Sequence, residues 1–211
     1  MIRFAAALLL AQAALFTTST SAAQQSESII QTVDEHDNVR GEIDKRPTDF
    51  VHRSSGYLFP AQLAEMPARK TITYGERDAG VYYTLYGGGN GDAWIDLIVY
   101  PVTQEISAEV SEVESLIVEN AKATKIEPLA ELPSGVPGLQ QGWFEGTVGK
   151  IPAFTGYRLA RRDNWYLKVR VTIPREGGAE SIDRAINSLA AIQWVVPDLV
   201  LKADGLVAVT K

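Results

Sequence analysis

Residues 151–173 read IPAFTGYRLARRDNWYLKVRVTI. Two runs rich in aromatic and β-branched residues, Ile151 to Arg162 and Trp165 to Ile173, flank the short polar pair Asp163-Asn164. That is the pattern of a β-hairpin. In its second arm Trp165, Leu167, Val169, Val171 and Ile173 point one way. Tyr166, Lys168, Arg170 and Thr172 point the other, because successive side chains of a strand alternate. A hairpin forces antiparallel pairing, so this stretch sets the kind of sheet into which the neighbouring segments must fit.

Working upstream, Leu139 to Val148 reads as a strand around Trp143 and Phe144, turned by Gly149-Lys150. Residues 123–138 carry Pro128, Pro133 and Pro137 and read as a loop around a short extended piece. Before them lies a second meander: strands over Lys70 to Glu76, Val81 to Tyr86 and Ala93 to Tyr100, the last limited by Pro101. Gly87 to Asp92 is its glycine-rich turn. Each meander is followed by a helix. Ser107 is predicted to cap the first, which runs to about Lys122, with Val110, Val113, Leu116, Ile117 and Ala121 at helical spacing. Glu109, Glu112, Glu114 and Glu119 are assigned to its other faces. The second helix runs from Ala179 to about Gln193 on the stripe Ile182, Ala185, Ile186, Leu189 and Ile192. The predicted order is β-β-β-α-β-β-β-α, an α+β domain in which an antiparallel sheet of about six strands is packed by two main helices.

This order is similar to the PsbP/Mog1-like α/β fold, an antiparallel sheet between helices, and the Phe59-Pro60 opening followed by strand pairs also fits it. Tyr57-Leu58-Phe59-Pro60, Gly80-Val81-Tyr82-Tyr83 and Ile98-Val99-Tyr100 look like segments of a group of uncharacterised exported bacterial proteins. The resemblance covers about residues 56–196. It implies a fold and no activity, and it carries no site residue. Members of that superfold serve as accessory, binding or assembly subunits more often than as enzymes, and fold does not fix function.

The N-terminus reads as an address. Arg3 precedes an apolar run of 13 residues, Phe4 to Phe16, in which only Gln12 is polar, and Thr17 to Ala23 ends in small residues. A charged start, a short apolar middle and a small-residue end are the marks of a secretory signal peptide. The run is shorter than the roughly 20 residues a spanning helix needs. The predicted organisation is a signal peptide over 1–23, a polar linker over 24–49, a single α+β domain over 50–197 and a tail over 198–211 with a strand through Leu206 to Val209. An exported protein, periplasmic or secreted, follows.

Charge and composition narrow the function classes. The whole chain has a net charge of -6, and Arg3 is the one charge in residues 1–23, so the exported part carries -7. A surface this acidic disfavours nucleic acid and anionic membrane as partners. The absence of cysteine removes disulfides, thiol catalysis and thiolate metal sites. No N-x-S/T sequon occurs. The two histidines, His36 and His52, stand far apart with no H-E-x-x-H, so no metal site is expected. His36 reads as solvated linker and His52 as a satisfied polar residue in a loop. No serine lies in G-x-S-x-G, and neither a phosphate-binding G-K-[ST] loop nor a dinucleotide G-x-G-x-x-G is present. No motif calls for a cofactor. Asp92 and Asp96 on one strand would stand roughly 13 Å apart, beyond the about 5–9.5 Å of working carboxylate pairs.

One feature of the strands remains polar without a motif to explain it. Asp96 lies mid-strand on the face of Trp94, Ile98 and Tyr100, opposite a hairpin carrying Arg158, Lys168 and Arg170. The bland reading is a charge ladder across the sheet surface. The functional one is an anion or polar-ligand pocket made by Asp96, Tyr100, Arg158, Tyr166, Lys168 and Arg170. The sequence therefore reads best as an exported soluble binding or accessory domain, non-enzymatic, whose partner is an envelope protein or a small polar ligand. The alternative is a hydrolase-like enzyme that draws carboxylates from different strands.

Overall fold

The computed structural model describes residues 42–75, 77–86, 91–132, 135–196, 198–202 and 205–209, the last two stretches as backbone alone. The predicted signal peptide, most of the predicted linker, His36 and the turn tip at 87–90 lie outside those residues. The elements are strands β1 (Ile43–Lys45), β2 (Asp49–His52), β3 (Leu58–Pro60), β4 (Gln62–Leu63), β5 (Met66–Gly75), β6 (Asp78–Thr84) and β7 (Trp94–Pro101), then helix α1 (Ile106–Ala121). Strands β8 (Thr124–Ile126), β9 (Gln140–Val148), β10 (Ile151–Arg162) and β11 (Trp165–Pro174) follow. A short 3-10 turn, Arg175–Gly177, then leads into helix α2 (Gly178–Ala190) and a last pair, β12 (Asp198–Lys202) and β13 (Gly205–Val209).

The hairpin read from residues 151–173 stands at the centre of the molecule. Arg162 pairs with Trp165 across the turn, and Asp163 takes a positive φ of 50° there. β11 then pairs with β7, joining the two meanders into one antiparallel sheet of order β4-β5-β6-β7-β11-β10-β9-β8. The α+β class therefore holds, with eight strands in the main sheet where about six are predicted. The two additions, β4 and β8, are two and three residues long, too short to display a period of two. A separate three-stranded antiparallel sheet, β1-β2-β3, precedes it. Its first strand lies in the stretch read as linker, because Ile43 is the only apolar residue of that three-residue strand. His52 ends β2 and is fully buried, so it belongs to a strand and not to a loop. The predicted C-terminal strand is β13, paired with β12.

Alternation along the strands gives the sheet two apolar faces, each covered by one helix. Ile95, Leu97 and Val99 of β7, with Val169 and Val171 of β11, pack with Ala185 and Leu189 of α2. Ile98 and Tyr100, with Tyr157, Leu159 and Tyr166, pack with Val113, Ile117 and Ala121 of α1. Trp143, Trp165 and Trp194 are buried, as are Leu63 and Met66. Each such side chain contributes roughly 1.5–3 kcal/mol by leaving water.

The start of α1 differs from the expected cap. Glu105 is the N-cap, with no side-chain hydrogen bond, and its carbonyl accepts from the Ala108 and Glu109 amides. Ser107 lies inside the first turn instead. The helix ends at Lys122, whose φ of 48° and ψ of 41° break the helical path. α2 ends at Ala190, three residues before the predicted Gln193.

Candidate functional site

Sequence alternation puts Asp96 on the α1 face of β7, and pairing puts Arg170 directly opposite it on β11, with Tyr82 of β6 opposite on the other side. Lys168 lies two residues before Arg170 on the same face. α1 covers this face without closing over it. Between the helix and the sheet is a cavity of about 390 Å³, lined by Asp78, Asp96, Lys168 and Arg170 from the sheet and by Glu109, Glu112 and the flanks of Val113 and Ile117 from the helix. Tyr74, Tyr100 and Tyr157 add aromatic wall, and Gln104 lies at the entrance to α1.

Hydrogen bonds hold the helix side in register. Tyr100 Oη donates to Glu109 Oε1 at 2.5 Å, and Gln104 Nε2 donates to Glu109 Oε2 at 2.9 Å and to Glu112 Oε2 at 3.0 Å. Tyr157 Oη donates to Glu114 Oε1 at 2.7 Å, the same oxygen that Lys125 Nζ reaches at 2.7 Å. Tyr166 Oη donates to the Gln104 carbonyl at 2.8 Å. Two groups stand out against this order. Asp78 Oδ1 is buried and makes no hydrogen bond among the described residues. The Lys168 ammonium lies over the Tyr100 ring, 4.6 Å from its centroid, and forms no ion pair within 4.0 Å among the described residues.

Partial burial moves the protonation equilibria of these groups toward their neutral forms. It pushes the Asp78 carboxyl up to about 6, against the pull of Lys168 and with help from Glu109. It pushes Asp96 up as well, opposed by Arg170, Lys70 and Lys168. It pushes the Lys168 ammonium down; Glu109, Asp78 and Glu112 oppose that, and the like charge of Arg170 reinforces it. Burial raises the Tyr100 and Tyr74 hydroxyls, with the charges of Glu109 and Asp96 respectively adding to it, so both are donors at neutral pH.

Of the residues singled out from sequence, Asp96, Tyr100, Lys168 and Arg170 line one cavity. Tyr166 lies beneath them, fully buried, its ring 5.4 Å from that of Tyr100. Arg158 is on the opposite face of the sheet, 5.2 Å from the Trp194 ring centroid. Its partner across the hairpin is Val169, and directly paired residues share a face. The position that does face the cavity is Tyr157, opposite Arg170. Asp92 does not line the cavity either; it precedes β7 and its Oδ1 is 3.8 Å from Arg184 of α2.

Sequence reasoning passes over Tyr74, Asp78, Gln104, Glu109, Glu112 and Tyr157. Glu109 carries a legible signal. Positions 109, 113, 117 and 121 recur every four residues, so an acid heads the buried stripe of α1 and is not on another face. Among the described residues no group of three or more His, Asp or Glu is arranged to hold a metal ion, and no helix is long and apolar enough to cross a membrane. No family model, no characterised protein and no solved structure matches this chain.

Proposed function

We propose that this protein is an exported binding or accessory domain that takes a small polar ligand into the cavity between α1 and the sheet. The observation that carries this reading is the convergence of four carboxylates, two cations and three tyrosines on one cavity of about 390 Å³. Ligand sites occupy roughly 300–1,000 Å³ and combine apolar walls with a few directed polar groups. Holding charges in partial burial costs stability unless they are paired, so a fold has reason to keep them where they meet a ligand. Hydroxyl groups of the ligand would donate to Glu112 and Asp78, while its acceptors would meet Arg170. The resemblance to the PsbP/Mog1-like proteins and the signal-like N-terminus support an envelope location and an accessory role.

A second reading is favoured by one observation, the Asp78 carboxyl held at about 6 in the same cavity as the raised Asp96. Acids from β6 and β7 with displaced protonation are what a hydrolase-like enzyme without histidine would require.

A thermal-shift panel of sugars, hydroxy-aldehydes, amino acids and polyamines tests both readings. A ligand that raises the melting temperature, with the rise lost in Arg170→Met and reduced in Glu112→Gln, supports the cavity as the binding site. A ligand recovered chemically unchanged after prolonged incubation keeps the binding reading, and its conversion moves the protein to the enzyme class. A panel without effect, together with capture of an envelope protein that Arg170→Met does not disturb, would overturn the cavity as the site.

A further inference from the structure

Lys168 differs from the ion-paired cations of the molecule in its surroundings. Arg53, Lys125, Arg175 and Arg184 each reach a carboxylate at 2.6–2.7 Å at their shortest approach. The Lys168 ammonium is held inside the cavity over the face of Tyr100 with none so close. An amine in such a place, next to a second cation on the same strand, is in the setting that activates lysine as a nucleophile. Asp78, with a buried oxygen that no donor among the described residues satisfies, lines the same cavity.

We infer that Lys168 forms a reversible imine with a small hydroxylated aldehyde or ketone held in this cavity, with Asp78 as the proton donor and acceptor. The inference rests on the cavity being a ligand site and adds the chemical class of the ligand.

The step is a condensation. The neutral Lys168 Nζ attacks the carbonyl carbon, a C–N bond forms, and the carbonyl electron pair moves to oxygen, which takes a proton from the Asp78 carboxyl. The nitrogen loses one proton to the Asp78 carboxylate. That proton returns to the hydroxyl, which leaves as water while the nitrogen lone pair closes the C=N bond. The last N–H proton passes back to the Asp78 carboxylate, so one amine and one carbonyl give one imine and one water, with no oxidant or reductant. Tyr100 supplies the aromatic wall, and Glu112 accepts from the ligand's hydroxyls.

Protonation supports the geometry. Lys168 is pushed down by burial and by Arg170 on its own strand, against Glu109 and Glu112 of α1 and Asp78 of β6, with Asp96 of β7 also facing it. Asp78 is half-protonated near pH 6, so it serves as both proton donor and acceptor in mildly acidic solution, while burial shifts Lys168 toward the neutral amine. The yield is expected to fall on both sides of that range.

Glycolaldehyde with cyanoborohydride at pH 6–8, followed by peptide mapping of the purified protein, is the test. Lys168 should be alkylated at least about ten-fold faster than the exposed Lys45, Lys122 and Lys150, and Asp78→Asn should slow its labelling by about ten-fold or more at pH 6. Lys168→Arg, checked for folding by circular dichroism, should leave only slow labelling of the surface lysines. Labelling of Lys168 no faster than the surface lysines overturns the imine whatever the ligand panel gives. A panel ligand that still raises the melting temperature in that case leaves the binding reading standing, so the two failures are distinguishable.

Discussion

Tyr100 of β7 and Glu109 of α1 are both buried and share a hydrogen bond of 2.5 Å, and this contact ties the helix to the sheet at the head of the cavity. A buried acceptor that loses its donor bears the desolvation penalty alone. Tyr100→Phe should therefore destabilise the protein by about 1–3 kcal/mol, read as a lower urea midpoint at unchanged slope. Glu109→Leu, which has no acceptor, removes the same contact from the other side. In the double variant the losses should fall short of their sum by about 0.5–3 kcal/mol; strict additivity would show that the two groups do not interact.

His52 provides the pH dependence. Its ring is fully buried, edge-on to Trp165 with centroids 5.2 Å apart, and Nδ1 shares a 2.7 Å hydrogen bond with Ser55 Oγ. Burial holds it neutral down to about 4, against the pull of Glu42. The unfolded chain takes up a proton near pH 6.5 and the folded one near 4, so between those values the unfolded state binds more protons. Stability is then full above pH 6.5 and falls as the pH drops toward 4, by on the order of 3 kcal/mol for this group. Asp78 works in the opposite sense over pH 6 to 4, because its folded value lies above its unfolded one. The difference curve between wild type and His52→Gln isolates the histidine: denaturation midpoints should diverge above pH 6 and converge near pH 4. Parallel curves would contradict a buried neutral imidazole.

Close backbone approach fixes the seat of α2. A Cβ on Gly177 would stand 2.1 Å from the Gly91 carbonyl oxygen and 2.6 Å from Ser181 Cβ, while Ser181 Oγ donates to that carbonyl at 3.0 Å. Gly177→Ala must push the segment before β7 away from the helix. The expected loss is about 1–3 kcal/mol, a fall in melting temperature of roughly 3–10 °C for a chain of this size. Gly135→Ala, where a Cβ meets nothing within 4 Å, is the control and should leave the melting temperature unchanged.

The long strands and both helices were legible because their apolar residues recur over seven residues or more. Strands β1, β4 and β8 were not, since two or three residues carry no period. The cavity was half legible. Asp96 is legible as a charge in mid-strand, and Lys168 and Arg170 as cations of the opposite hairpin. Asp78 and Tyr74 flank the bulged end of β5 and β6, where the register shifts between Thr73 and Gly75, and no alternation rule counts through a bulge. The misreading of Arg158 has a different cause. A sheet covered on both faces has no solvent side, so polarity does not tell which way a residue points. The turn does: with Asp163-Asn164 as its two residues, position 158 must face 169, and Val169 belongs to the α2 face.

That placement makes Arg158 the means of separating core from site. Its guanidinium is buried over Trp194 on the α2 face, with the whole sheet between it and Lys168. Arg158→Met keeps an unbranched apolar stem and removes the guanidinium, so the cation–π contact, worth about 0.5–2 kcal/mol, is lost while the stem packing stays. Glycolaldehyde labelling of Lys168 and the thermal shift from any cavity ligand should be unchanged, whereas Arg170→Met, one register position away on the facing side, should reduce both. If Arg158→Met abolished labelling in a protein with an intact circular dichroism spectrum, the cavity between α1 and the sheet would not be where the chemistry resides.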